Sequence, residues 1–296
     1  MLIELRNLPA PAKLNLFLHV TGRRADGYHL LETVFQFVDL QDSLDLRLRD
    51  DGLLGRLGPP GDIPPETDLT LSAARALQEA TSCRYGVDIT LRKSIPIGAG
   101  LGGGSSDAAT VLLGLNRLWQ LDLDRRCLSD IARTLGADVP VFIFGRNAFA
   151  TGIGDQLRPI DLPPRWFVLL MPPVAVATAG VFGDAKLTRN TKPITIFGFS
   201  EQAPGLGGRN DLQPVVLKRQ PAVKAALVVL TNETRAVDAA AATSVRMTGS
   251  GACVFAALER FDVAQEIAQR VLRHNVGTVH VVSGLAKHPL GSRQVG

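Results

Sequence analysis

Residues Pro96 to Ala109 read Pro-Ile-Gly-Ala-Gly-Leu-Gly-Gly-Gly-Ser-Ser-Asp-Ala-Ala, and five glycines (Gly98, Gly100, Gly102, Gly103, Gly104) fall within seven positions. Ile97, Ala99 and Leu101 alternate with the first of them. Ser105 and Ser106 follow, and then Ala108, Val111, Leu112, Leu115, Leu118 and Trp119 recur at helical spacing. A backbone without Cβ obstruction therefore runs into a helix N-terminus. Glycine reaches positive φ and lets a ligand approach the main chain, while the first N–H groups of a helix lack intrahelical partners and carry the positive end of its dipole. Such a place binds anions, most readily phosphate. A tight connection capped by Ser105, Ser106 or Asp107 is the plainer alternative. Five glycines cost more backbone entropy than a cap requires, which favours the anion site. Gly98, Gly100 and Gly103 satisfy the dinucleotide pattern G-x-G-x-x-G, a weak signal by itself, and a Walker A loop is excluded because Ser105 stands where its lysine would.

Other residues with chemical potential are scattered. Lys13 shares one face of an alternating segment with Asn15, Phe17 and His19. A strand lysine is usually solvated, yet a solvent face seldom includes Phe, so partial burial in a site competes with the plain reading. Asp138 lies at a Gly-Ala-Asp-Val-Pro corner, where an N-cap or Asx turn would by itself account for it. Tyr28-His29 reads as a core aromatic beside a satisfied imidazole, or as a stacking and hydrogen-bonding pair. Thr248-Gly249-Ser250-Gly251 reads as an ordinary turn, or as backbone open to a ligand between two apolar segments.

These residues need a scaffold. Ala12 to Val20 reads as a strand with Leu14, Leu16, Leu18 and Val20 on its second face; Gly22 to Gly27 is a turn; Leu30 to Leu40 is extended and apolar, and Asp45 to Arg49 alternates again. Pro and Gly crowd Gly52 to Pro65, which reads as a surface loop. Leu69 to Ala80 has helical spacing, and Val87 to Leu91 is a strand leading to the glycine run. Helices are expected from about Ser105 to Trp119 and from Cys127 to Leu135, the latter stopped by Gly136. Past Arg158, Trp166 to Met171 reads as a buried strand, Lys186 to Asp211 as a long stretch rich in Gly, Pro and Thr, and Val223 to Leu230 as a helix. Phe261 to Leu272 is an amphipathic helix and Thr278 to Val282 a strand. Strands and helices interleave in both halves without a fixed repeat. The expected fold class is α/β (α+β) in two domains, residues 1–160 and 161–296.

Composition narrows the function. The 296 residues, 46% hydrophobic and 20% charged, suffice for one large or two ordinary domains and exclude disorder. A net charge of +4, spread without a run of five like charges, suits an anionic small ligand better than a nucleic-acid surface. Cys83, Cys127 and Cys253 fit neither a disulfide framework nor a zinc site and are expected as reduced core thiols. Met1 to Pro11 lacks a leader-like apolar run, and the most apolar segment, Trp166 to Ala177, is broken by Pro172 and Pro173. A soluble cytoplasmic protein with neither membrane nor nucleic-acid partner is expected.

Taken in order, Pro11-Ala12-Lys13-Leu14-Asn15-Leu16, Gly27-Tyr28-His29, the Pro96 to Ala109 run, Gly136-Ala137-Asp138-Val139-Pro140, Asn210-Asp211 and Thr248-Gly249-Ser250-Gly251 resemble the motifs of the GHMP kinase superfamily. The resemblance extends from residue 10 to about residue 256. It implies a two-domain α/β fold with ATP and substrate in the cleft between domains. Pro96 to Ser106 would wrap the ATP phosphates through main-chain N–H groups. Asp138 would be the general base that takes the proton from a substrate hydroxyl as it attacks the γ-phosphorus, and Lys13 would hold Asp138 ionised and neutralise the transferring group. The wording around Lys13, Tyr28 and Asp138 is most similar to a branch whose small-molecule substrate carries a cytidine diphosphate group. Tyr28, His29 and Phe182 would then enclose and hydrogen-bond the cytosine ring, Asn15 would contact the substrate, and Thr248 to Gly251 would shape the C-terminal side of the cleft. Mg2+ would accompany ATP, held by Ser105 or Ser106, or by phosphates and water.

The chemistry of that assignment is sound. Phosphoryl transfer to an alcohol chiefly demands positioning and neutralised oxygens, and a carboxylate can accept the hydroxyl proton late. Some positions depart from the family pattern: Asp68 stands where Asn is usual, and Ala99 and Asp107 replace residues that are often Gly and Asn. Two other classes fare worse. A Rossmann oxidoreductase needs an acidic residue ending a strand roughly 20 residues after the loop, whereas Asp122 and Asp124 follow a helix. An RNA-binding module needs a clustered basic face and more than the 5% aromatic residues present.

Overall fold

The computed structural model describes residues 2–58, 64–194 and 207–292. A long antiparallel hairpin opens the chain, β1 (Glu4–Arg23) against β2 (His29–Arg49). The expected strands Leu30 to Leu40 and Asp45 to Arg49 are thus one strand, carried through Gln41 to Ser43 by pairing with β1. Eight shorter strands complete one sheet: β3 (Leu54–Leu57), β4 (Gly86–Arg92), β5 (Ala148–Thr151), β6 (Gln156–Pro159), β7 (Trp166–Met171), β8 (Arg246–Met247), β9 (Val254–Leu258) and β10 (Thr278–Leu285). Their order is β3-β4-β2-β10-β7-β9-β8, with β1 beside β2 and β5 joining β2 to β6.

Leu54–Leu57 corrects the expectation of a plain surface loop at Gly52 to Pro65, since it pairs parallel with β4. Its four residues are too few to alternate visibly, and the pairing depends on Gly86: a Cβ there would lie 2.1 Å from Leu53 O. Residues 59–63 of that stretch, and 195–206 of the Gly/Pro-rich one, lie outside the described residues.

Helices cover the sheet. In the first half these are α1 (Leu69–Thr81), α2 (Gly103–Leu118), α3 (Arg125–Leu135) and α4 (Val139–Phe144). Asp68 and Asp124 cap α1 and α3 by accepting from Thr70 and Cys127 N–H. The stripe Leu112, Leu115 and Leu118 of α2 is buried with Leu44 and Leu46 of β2 and Ile89 of β4. The second half carries α5 (Thr178–Phe182), α6 (Gln213–Arg219), α7 (Pro221–Val237), α8 (Phe261–Leu272) and α9 (Pro289–Ser292). There Val168 and Leu170 of β7 and Val254 and Ala256 of β9 pack with Leu230 of α7 and Ile267 and Val271 of α8. A third cluster joins Leu14, Leu16 and Phe17 to Phe167, Leu169 and Phe255. Phe17 and its face of β1 are therefore buried because both sides of the strand are covered. Among the described residues no helix is long and apolar enough to cross a membrane. Cys253 is buried, but Cys83 is half-buried and Cys127 exposed on α3, so only one of the three is the expected core thiol.

Between the chain halves β10 reaches β2 at Gly284 and Leu285. Asn147, itself 2% exposed, clasps this seam: its Oδ1 accepts from Phe37 N–H (2.9 Å) and its Nδ2 donates to Leu285 O (2.8 Å). Asn147→Ala removes the side-chain acceptor of Phe37 N–H and leaves Leu285 O to Gln36 Nε2 (2.9 Å), so unfolding in urea is expected to show a stability loss of about 1–3 kcal/mol with an unchanged slope.

Candidate active site

One edge of β1 is taken by β2; the other gathers loops. Lys13 N–H donates to Leu101 O (2.9 Å), Asn15 N–H to Thr248 Oγ1 (2.8 Å), Leu18 N–H to Arg209 O (2.9 Å) and Val20 N–H to Asp211 Oδ2 (2.8 Å). The switch from odd to even donors coincides with the register shift between Asn15 and Leu18.

The glycine run forms the turn between β4 and α2. Gly100 has φ +76°, and a Cβ on it would lie 2.5 Å from Thr248 O and 2.9 Å from Gly251 O. Gly102 has φ +72° and immediately precedes α2; a Cβ there would meet Lys13 Cε at 3.0 Å. Glycine is required at both positions by conformation and by space. The first helical bond is Ser106 N–H to Gly102 O (2.9 Å), so the N–H groups of Gly103, Gly104 and Ser105 have no acceptor within the helix. No side chain caps α2; Ser105 and Ser106 lie inside its first turn and Asp107 just beyond it, rather than serving as its cap.

Across from the run, Asn210 Nδ2 donates to Met247 O and Gly249 O (2.8 Å each), fixing the Thr248–Gly251 turn. Cys253 N–H reaches Ala99 O (3.1 Å), tying that turn to the run. Thr178 and Ser250 hydroxyls meet at 2.7 Å.

Lys13 Nζ lies 2.6 Å from Asn15 Oδ1 and 3.1 Å from Asp138 Oδ2; Lys13 is 3% exposed and Asp138 38%. Asp138 caps no backbone N–H of α4. Its carboxylate is engaged by Lys13 instead, which removes the ground for reading it as a simple cap. Asn15 Nδ2 continues the chain to Thr33 Oγ1 (2.9 Å). Lys13, Asn15, Asp138, Ser105 and Pro96 to Gly104 all line one cleft of about 640 Å³. Ser106 is buried beneath it, its Oγ without a hydrogen-bond partner. A second pocket of about 510 Å³, lined by Tyr28, His29 and Phe182, shares Leu31, Ala137, Ile153 and Phe182 with the cleft. His29 and Phe182 rings stack at 5.1 Å, while Tyr28 is 60% exposed beside them.

Sequence reasoning missed a second lysine. Lys93 Nζ bridges Asp42 and Asp107 Oδ2 (2.7 Å to the latter), and Asp42 Oδ1 also accepts from Ile95 N–H (2.8 Å), anchoring the entry to the glycine run. The only signal was a cation shortly before Pro96. Burial pushes the Asp107 carboxyl up to about 7, opposed by Lys93 and reinforced by Asp42. Asp68, at the same cleft, caps α1 and pairs with Arg56.

A mixed sheet with a glycine cradle at a helix N-terminus, facing a lysine–aspartate pair, is the architecture of a GHMP kinase, and the chain belongs to that family. The GHMP kinases N terminal domain matches residues 68–146 and the GHMP kinases C terminal domain residues 201–277. The 4-diphosphocytidyl-2-C-methyl-D-erythritol kinase of Cupriavidus metallidurans is 49% identical, over 98% of this chain and 96% of the relative. That of Ralstonia nicotianae is 51% identical over 97% and 96%. A crystal structure of 4-(cytidine 5'-diphospho)-2C-methyl-D-erythritol kinase superposes with a TM-score of 0.76 at 36% identity, covering 95% of this chain and 98% of that one. Homoserine kinase from Cytophaga hutchinsonii, at 18% identity and a TM-score of 0.65, shares the fold.

Two measurements test this geometry. Gly100→Ala adds a left-handed alanine, about 1–2 kcal/mol, to a contact with main-chain oxygen, and calorimetric titration is expected to show ATP binding weakened about tenfold or more. Asp107 holds its proton more tightly folded than unfolded. Its stabilising contribution is therefore complete below the ordinary 3.8 and lost as pH rises through about 7. The urea midpoint of the native protein is expected to fall across that window relative to Asp107→Asn, which has no such slope.

Proposed function

We propose that the protein transfers the γ-phosphoryl group of ATP to the 2-hydroxyl of 4-diphosphocytidyl-2-C-methyl-D-erythritol, the kinase step of the non-mevalonate isoprenoid route. The observation that carries this reading is the 3.1 Å pair of Lys13 and Asp138 in the cleft that the glycine cradle lines. The relatives, about half identical over nearly the whole chain, support the choice of substrate.

In this reading Pro96 to Ser106 hold the ATP phosphates with main-chain N–H groups at the start of α2. The substrate oxygen attacks the γ-phosphorus, the bond to the β-phosphate bridging oxygen breaks, and ADP leaves. Asp138 accepts the hydroxyl proton, and Lys13, already donating to Asp138 and Asn15, neutralises the transferring oxygens. Asn15 orients Lys13 and borders the substrate. The cytosine ring would lie with Tyr28, His29 and Phe182 in the adjoining pocket. The cleft would separate a domain of residues 1–160 from one of 161–296; one cluster centres on each, with Leu18 and Val20 of β1 joining the second. Both reactants are small and water-soluble, which suits a cytoplasmic enzyme without membrane or nucleic-acid partners.

Mg2+ would enter with the nucleotide and offset phosphate charge. The hydroxyls of Ser105, at the cleft, and Ser106, buried and unpartnered, suit a hard cation, with phosphate and water as its other ligands. No group of three His, Cys, Asp or Glu side chains among the described residues forms a dedicated metal site.

ADP formation is expected with the cytidine-diphospho substrate, and equal or faster turnover of mevalonate or homoserine would reject the substrate assignment. Asp138→Asn and Lys13→Met are each expected to lower kcat by about 10²–10⁴ while ATP still binds.

A further inference from the structure

The pocket shared by Tyr28, His29 and Phe182 is held by a residue outside it. Arg189, beyond α5, donates Nε–H to Nε2 of His29 (3.0 Å). Its remaining nitrogens donate to the carbonyl oxygens of Phe182 (3.0 Å), Asp184 (2.7 Å) and Leu187 (3.1 Å). A guanidinium has five donors and no acceptor, and it keeps its charge throughout the working range of pH. Nε2 of His29 is therefore the lone-pair nitrogen, and the ring's single proton sits on Nδ1.

We propose that Arg189 is a positioning residue: it fixes His29 as the Nδ1–H tautomer, so that the imidazole offers the bound pyrimidine one donor and no acceptor, while tethering the Phe182 turn against it. The proposal rests on reading this pocket as the cytosine site. Cytosine presents two adjacent acceptors, N3 and O2, which a donor-only imidazole can serve. Uracil places an N–H at N3. A histidine free to exchange tautomers could serve either base, whereas one held by a guanidinium serves only an acceptor.

The surrounding charges agree. Burial first, then Arg189 and Arg23 of β1, hold the His29 imidazole below its usual range, which keeps it neutral near pH 7. The nearby carboxylates are occupied elsewhere. Asp26, which also lines the pocket, pairs with Arg24, and Asp184 pairs with Arg219 and accepts from Lys186 N–H. The same side chain thus sets the state of one ring and the place of the other.

Nitrogen-15 NMR of the full-length protein, with His29→Ala to assign the signal, tests this. The native protein is expected to show a protonated Nδ1 and a bare Nε2 at His29. Arg189→Gln, whose amide can accept as well as donate, should admit the other tautomer and raise KM for the cytidine-diphospho substrate about tenfold, with kcat and KM for ATP unchanged within about twofold. Arg189→Lys, which keeps a donor and no acceptor, should restore the native tautomer. An Nε2–H tautomer in the native protein, or a KM rise in Arg189→Gln with the tautomer unmoved, overturns the proposal. If cytidine 5'-diphosphate at saturation leaves the His29 Nδ1–H signal unmoved, the cytosine reading of the pocket fails, and the donor role falls with it even where the tautomer is as stated.

Discussion

An edge strand must find partners for its outward main-chain groups, and in this protein the edge of β1 finds loops instead of another strand. Leu101 O, Thr248 Oγ1, Arg209 O and Asp211 Oδ2 take four successive outward N–H groups. Further back, Pro9 has no N–H to place, and its carbonyl accepts from Thr110 of α2 (3.3 Å). Segments from three distant parts of the sequence are thereby set in register along one rigid strand. The cleft inherits its geometry from that strand, so its loops need no independent rigidity.

The side chains of the same strand add the charge. An ammonium at 3% exposure is costly unless its donors are used. Asn15 and Asp138 take two of the three donors of Lys13. Lys93, equally close to the glycine run, is instead spanned by Asp42 and Asp107. Each ammonium thus engages two of its three donors, but Lys93 meets two carboxylates whereas Lys13, beside the cradle, meets one carboxylate and an amide oxygen. Composition cannot separate the two, but their carboxylate partners do.

What was legible in the sequence follows the range of the interactions involved. Trp166–Met171 and Phe261–Leu272 come out at the residues expected, because period and burial agree within each segment. The anion cradle was legible because glycine density is itself local. Lys13 and Asp138 were individually ambiguous, one an alternating-strand residue and the other a corner residue. Only their likeness to motifs paired them, since the contact joins β1 to the start of α4 across most of the first half. Leu54–Leu57 gave no strand signal, because β3 exists through what β4 offers it. Asp42 and Arg189 had no local signature at all: each acts on a residue far from it in sequence.

The acidic departures from the family pattern near the cradle bear on whether an anion can be held there at all. Burial alone would raise the Asp68 carboxyl, but hydrogen bonds from Thr70 and Arg56 outweigh it and hold it below the usual range, so the group is a carboxylate. Its charge is met by Arg56. Asp107 sits on α2 just past its first turn and shares Lys93 with Asp42. Burial first, and then the neighbouring Asp42 carboxylate, raise the Asp107 carboxyl against the pull of Lys93, so that it holds a proton near neutrality. Each acid is thus offset where it stands, by a guanidinium at Asp68 and by a shared lysine and a proton at Asp107. The N–H groups of Gly103 to Ser105, which have no acceptor within α2, and the Lys13 ammonium are then the donors available at the cleft to the phosphates of the proposed nucleotide.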